Sequence, residues 1–188
     1  AHAARASAVD LADHLFVREG FAGNTRDYRD PRNSFLPDVM ERRLGIPITL
    51  SVLMIEVGRR LGVHLHGVGM PGHFLVGVDA EPDTFVDPFH AGAVLDRDGC
   101  RARFATLQGP TAPFRPEYLA PTPTRAILLR MLTNLRQTYV ARRSPDAAWV
   151  VGLQLAFPEL GPGDRAAIAD VLGSVGAYTD AAAVLDGL

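Results

Sequence analysis

His73 and Asp87 are the two side chains whose types and spacing suggest chemistry most directly. His73 sits in the turn-to-strand sequence Pro71-Gly72-His73-Phe74, and Asp87 lies in the next strand pattern, Val86-Asp87-Pro88-Phe89. Adjacent antiparallel strands can set two such side chains beside each other. A carboxylate that accepts from one imidazole nitrogen fixes the tautomer and leaves the other nitrogen as acceptor or general base. A purely structural His–Asp hydrogen bond has the same signature, and the residues alone leave both readings open.

The elements that must carry this pair follow from periodicity. Residues 3–18 predict a helix, closed by Gly20, with Val9, Leu11, Ala12, Leu15 and Phe16 as its apolar stripe. Residues 20–33 predict a loop, and a short helix is expected over Ser34–Arg43 with Asn33 or Ser34 as its cap and Gly45 as its stop. Pro47 then opens the run ITLSVLMIEVGRRLG, which is apolar nearly all round and so predicts a helix inside the domain. Glu56, Arg59 and Arg60 mark the end where it should emerge.

Three short strand patterns follow, at 64–70, 73–79 and 84–89, separated by PG and EPD turns that favour antiparallel pairing. Residues 96–124 predict irregular structure. Helices are then expected over 124–142, from the Ser144-Pro145-Asp146 cap to Phe157, and over about 164–173 and 178–187. These look like stacked helix hairpins, too few to define a repeat array. A soft boundary near residue 120 divides a core with N-terminal helices (1–120) from a helical region (121–188).

Composition narrows the function classes. The chain has 188 residues, 47% hydrophobic and 21% charged, which is ordinary globular composition. A net charge of -2 gives no electrostatic footprint for nucleic acid or an anionic membrane. No apolar run reaches the roughly 18 residues that a membrane helix needs. All 19 basic residues are arginine, which removes lysine-based Schiff-base and general-base chemistry. The single cysteine, Cys100, rules out an internal disulfide and fits a reducing compartment, so a cytoplasmic location is expected. The chain opens on Ala1 within a helical pattern, as a trimmed N-terminus would, so the lack of a leader carries no argument.

Several segments, taken in order, resemble one family. They are Gly23-Asn24, then Asp30-Pro31-Arg32-Asn33-Ser34-Phe35-Leu36, then Glu41-Arg42-Arg43-Leu44-Gly45-Ile46-Pro47-Ile48-Thr49-Leu50-Ser51, then Pro71-Gly72-His73-Phe74-Leu75 and Asp87-Pro88-Phe89. This pattern is similar to the SirB1 family of the transglutaminase-like superfamily, whose cores resemble papain-type cysteine proteases. The likeness covers about residues 10–95, and the helical tail resembles that family's tetratricopeptide-like C-terminus. The implied fold is α+β, with a buried central helix on an antiparallel sheet.

The superfamily's chemistry uses a cysteine at the start of the central helix, where the helix N-terminus and an imidazolium favour the thiolate. His73 and Asp87 match its histidine and aspartate. No cysteine stands near Ile48–Ser51, where the resemblance puts the nucleophile; Thr49 and Ser51 are the only hydroxyls there, and both are also ordinary helix-start residues. Asn33, Glu41 and Arg43 belong to the shared signature around the helix mouth, where they suit either ligand contact or capping and ion pairing. The Gly20–Asn33 loop is a candidate wall for a pocket.

Two further sites were weighed on the residues. Cys100 lies beyond Asp87 among Arg97, Arg101 and Arg103, whose charges would favour its thiolate, but the family pattern puts no nucleophile there and an incidental surface or buried cysteine is the expected reading. His64 and His66 share a strand face and, with His73, Asp87 and His90, compose a zinc-like donor set, yet no tightly spaced ligand signature accompanies them. The expectation is therefore no metal and no cofactor. The implied protein is a degenerate member of the superfamily, a pseudoenzyme that binds an unidentified peptide or protein. The alternative is a hydrolase or acyltransferase that uses His73 and Asp87 without a protein thiol.

Overall fold

The computed structural model describes residues 7–158 and 160–186, and the chain divides into two compact units after Ile127. In the first unit, Ser7 and Asp10 cap α1 (Ala8–Ala12) reciprocally. The helix continues as a π-helical stretch, Asp13–Arg18, and buries Leu11, Ala12, Leu15 and Phe16. Residues 3–6 of the expected helix lie outside the described residues. The expected loop at 20–33 contains β1 (Ala22–Gly23) and a 3-10 turn over Pro31–Ser34, capped by Asp30.

Helix α2 spans Leu36–Arg42, and its N-cap is Phe35, with no side-chain cap. The expected caps fail for a physical reason. Asn33 is fully buried and bonded elsewhere, and Ser34 is already inside the 3-10 turn. Gly45 is not the stop either. Arg43 ends the helix in the left-handed region (φ 57°), and Gly45 belongs to β2 (Leu44–Gly45), which pairs parallel with β1.

Helix α3 (Pro47–Leu61) is the element around which this unit is built. Pro47 is its first residue, and Gly62 closes it at φ 72°, as the sequence predicts. Ile48, Leu50, Leu53 and Met54 are buried; Leu50, Leu53 and Met54 pack in one cluster with Val76 and Val86 from the sheet and with Leu11, Leu15 and Phe16 from the N-terminal helix. The far end emerges, with Arg59 and Arg60 paired to Glu56.

The sheet is antiparallel in the order β3 (Leu65–Val68), β4 (Leu75–Val78), β5 (Glu81–Asp87), β6 (Ala93–Leu95). The α+β architecture expected from sequence is therefore present. Two details differ. The β4–β5 turn is Asp79-Ala80, because Glu81-Pro82-Asp83 already belongs to β5 and the register shifts at Gly77/Val78. Residues 96–124 are not irregular throughout: Asp96 caps α4 (Arg97–Gln108) by accepting from the Gly99 amide at 2.7 Å. Cys100 and Phe104, one helical turn apart, anchor α4 on Val68, Leu75 and Phe85.

Helix α5 (Thr124–Ala141) begins in the first unit and continues into the second. The second unit also holds α6 (Ala147–Gln154), α7 (Pro162–Ser174) and α8 (Tyr178–Asp186). Helix α6 is shorter than the sequence predicts, because Leu155 and Ala156 turn out of it before Phe157. Its interior is lined by Val150, Val151, Ile168 and Leu172. Among the described residues, no helix is long and apolar enough to cross a membrane.

Close packing makes one glycine diagnostic. A Cβ on Gly23 would lie 2.5 Å from the Phe89 ring, whereas one on Gly152 in α6 would meet nothing within 4 Å. Gly23→Ala should therefore destabilise the protein by about 1–3 kcal/mol. Gly152→Ala should be neutral or stabilising, by up to about 1 kcal/mol. Chemical denaturation of the two variants measures both signs.

Candidate functional site

The site is assembled by the sheet and closed by α4. Gly72, at φ 77°, turns the chain so that the His73 amide donates to the Met70 carbonyl at 3.0 Å, two residues before β4 begins. Asp87 ends β5, one residue past the Val76–Val86 pair. The imidazole Nε2 of His73 lies 2.9 Å from Asp87 Oδ1. The sequence thus identifies two residues that meet.

Asp87 has more partners than the sequence suggests. It caps the 3-10 turn Pro88–His90, accepting from the His90 amide at 3.3 Å. Its second oxygen, Oδ2, lies 2.9 Å from His90 Nδ1 and forms an ion pair with Arg103 Nε at 3.1 Å, whose N–H is not aligned for a hydrogen bond. Asp87 is fully buried, and His73 is only 4% exposed. Burial by itself would push the Asp87 carboxyl up. The His73 hydrogen bond, followed by the charges of His73, His90 and Arg103, outweighs that and holds its pKa below the ordinary 3.8. An ionised carboxylate only accepts, so His73 donates from Nε2 and His90 from Nδ1.

An aromatic wall joins this cluster to the N-terminal loop. Phe89 stands edge-on to His73, with centroids 6.2 Å apart, and Tyr28 stands edge-on to Phe89 at 6.0 Å. Gly23 backs the same ring. Tyr28 and Gly23, from the Gly20–Asn33 loop, therefore lie against the Phe89 ring beside His73.

The helix mouth offers hydroxyls that are already committed or sealed. Thr49 Oγ1 accepts from the Ile46 amide at 3.1 Å and donates to the Asn33 carbonyl at 2.8 Å. Ser51 is fully buried, and its hydroxyl makes no hydrogen bond, so none joins it to His73. Asn33 organises the loop. Its amide donates to the Asp27 and Tyr28 carbonyls, and its Oδ1 accepts from Asn24 at 3.0 Å. Glu41 is exposed on α2, and Arg43 is exposed and paired with Glu19 at 3.0 Å. Arg42, not Arg43, reaches inward to Asp30, at 3.0 Å.

Cys100 is fully buried in the core of α4. Burial, with the negative charges of Asp87 and Asp96, pushes the thiol up to about 12; Arg103 and Arg97 pull the other way and lose. The sequence-level expectation that nearby arginines would favour a thiolate is overturned by desolvation. Arg101 is engaged elsewhere, paired with Asp98 and lying over the Phe114 ring.

The wide histidine set does not converge. His66 pairs with Asp79 at 2.6 Å, while His73, Asp87 and His90 offer donor atoms within 4.8 Å of one another. Arg103 shares the Asp87 oxygen that a cation would need, which opposes metal binding.

Sequence reasoning did not place Arg103 in the site, nor His90 beside Asp87 outside a metal set. Asp96 followed by Cys100 and Phe104 at helical spacing was the signal for the α4 that presents Arg103. His90 was detectable as the residue three beyond an Asp that precedes proline.

Comparison with known proteins places this geometry. The sequence profile of the transglutaminase-like superfamily matches residues 2–133, and the chain belongs to that superfamily. A UPF0162 protein of Xylella fastidiosa is 47% identical over 130 residues, covering 67% of this chain and 46% of the relative. A UPF0162 protein of Pseudomonas aeruginosa is 37% identical over 147 residues, covering 77% and 54% respectively. The chain thus spans about half the length of these curated relatives. Human F-box only protein 21 is 45% identical over 62 residues, 33% of this chain and 10% of that protein. No solved structure matches.

Two outcomes follow. Because the folded-state pKa of Asp87 is depressed, its stabilisation is complete above the ordinary carboxylate range and drains away as pH falls through the lowered value. Asp87→Asn should destabilise the protein at neutral pH by about 3–5 kcal/mol and flatten the acid limb of a stability–pH curve. Cys100 should resist thiol labelling at mildly alkaline pH in the native protein and react fully once the protein is unfolded.

Proposed function

We propose that this chain is a SirB1-like, transglutaminase-fold module without catalysis, in which the inherited His–Asp couple has become structural. On this reading it binds a peptide or protein partner in the cytoplasm, through a core spanning residues 1–120 and a tetratricopeptide-like helical region spanning 121–188. The observation that carries the reading is the state of Asp87. It is fully buried and shared among His73, His90 and Arg103, while the chain's one thiol is buried and protonated. The commitment of the Thr49 hydroxyl to Ile46 and Asn33 supports it further. So does the recurrence of a 62-residue stretch within F-box only protein 21, where it makes up 10% of the protein, as a portable module would.

A second reading keeps His73 as a general base acting on water or a substrate nucleophile, with Asp87 as its orienter. The 2.9 Å Nε2 contact favours it, because a carboxylate held on one ring nitrogen fixes the tautomer in which the other, Nδ1, is an acceptor. Turnover separates the two. Purified protein is screened against ester, anilide and glutamine-amide substrates beside folded His73→Ala. The binding reading predicts no turnover that His73→Ala removes. A rate of hydrolysis or acyl transfer that falls about 100-fold or more in that variant would establish the enzyme.

A further inference from the structure

A second imidazole–carboxylate couple lies away from the Asp87 cluster, on the sheet face that α4 covers. His66 and Val68 share that face by strand alternation, and Val68 packs with Cys100 and Phe104. His66 Nδ1 lies 2.6 Å from Asp79 Oδ1. An ionised aspartate only accepts, so Nδ1 donates, and the neutral ring keeps Nε2 as an acceptor. Among the described residues Nε2 has no hydrogen-bond partner, and the side chain is 26% exposed, so this atom is open to solvent, not sealed.

The sheet makes room for the ring. Gly77 stands opposite His66 in the β3–β4 register, inside a strand, where a glycine has no side chain to pack. A Cβ at that position would collide with Nε2. The strand gives up a side chain there so that the imidazole can lie across it.

Beside the ring is a recess of about 410 Å³, within the range of small-molecule sites. Pro82, Pro116, Leu119 and Pro121 give it apolar walls, and His66, Asp79 and Arg97 give it polar groups. Arg97 is already paired with Asp83. Asp79 is half exposed, and among the described residues its second oxygen has no partner. The couple's two unmet atoms are therefore both acceptors. The hairpin at the rim carries Asp79, Glu81 and Asp83 against that single guanidinium, so the mouth is net negative.

We infer that this recess binds a small aromatic primary amine, its ammonium held by Asp79 and donating to His66 Nε2, its ring lying on the proline walls. A donor answers the two acceptors, and a positive charge answers the rim, whereas a carboxylate or phosphate is repelled. A flat ring covers broad apolar walls that the thin stem of a lysine side chain would leave wet. The inference uses neither His73 and Asp87 nor the helical region. It concerns a free small molecule, so it stands or falls apart from the protein-partner reading above.

Amide NMR on the isotope-labelled whole chain tests it, at about pH 8, where an ordinary imidazole is neutral and an alkylamine is charged. Phenethylamine should bind with Kd below about 5 mM and shift the amides of Gly77, Val78 and Ala120. Phenylethanol, its uncharged counterpart, should bind about tenfold more weakly, and phenylpropionate should not bind. Asp79→Asn should weaken phenethylamine about tenfold. Ala120→Leu adds volume inside the recess at an exposed position and should abolish binding, with the rest of the amide spectrum reporting an unchanged fold. The inference is overturned if the alcohol or the acid binds as tightly as the amine, or if an N-acetylated lysine amide binds better than phenethylamine. It is equally overturned if Asp79→Asn or Ala120→Leu leaves affinity unchanged, or if phenethylamine does not bind.

Discussion

One buried carboxylate organises the first unit of this molecule. Removing an ion from water costs several kcal/mol even after relaxation, and the penalty is recovered only where geometry and hydrogen bonds are good. Asp87 meets that condition with both oxygens. His73 takes one, His90 and Arg103 take the other, and the His90 amide adds a bond from the turn the aspartate itself caps. These partners come from the approach to β4, the turn after β5, and α4. A single charge therefore ties together segments that are distant in sequence, and its loss would leave the half-buried Arg103 guanidinium without its carboxylate.

That arrangement also bears on the chemistry open to the site. A thiol enzyme of this architecture needs a nucleophile at the mouth of the central helix, an imidazole within reach and a carboxylate that orients it. Here the imidazole and carboxylate are present, but the helix begins with Pro47, and the first hydroxyl, on Thr49, fastens the helix start to the loop at Asn33. The sulfur sits in the core of α4, where desolvation outweighs two arginines. Thr49 serves cohesion at the helix mouth, and Cys100 serves it in the core.

Much of this was legible in the residues because the signals were local. Pro47 and Gly62 bracket α3 by their backbone chemistry, and the apolar run between them says that the helix is buried. The short strand patterns bring His73 and Asp87 together, since antiparallel pairing follows from short connections. What escaped was set by tertiary context. Asn33 looked like a helix cap until burial turned its amide toward Asp27 and Tyr28. Helix α4 was hidden by its glycine and its many charges, with only Cys100 and Phe104 to mark its inner face, and with it went Arg103. The depth of Cys100 could not be read from the residues, because sequence shows neighbouring charges but not solvent. Desolvation is the larger effect and becomes visible only in three dimensions.

The shared-carboxylate account is tested most directly by a double-mutant cycle between Asp87→Asn and Arg103→Gln, read by equilibrium denaturation at neutral pH. If the charge is the hub described, the two changes are strongly coupled, by about 1–3 kcal/mol, because the half-buried Arg103 and the buried Asp87 form one ion pair that either change breaks. Additivity within about 0.3–0.5 kcal/mol would mean that the two groups do not depend on each other, and would contradict the account.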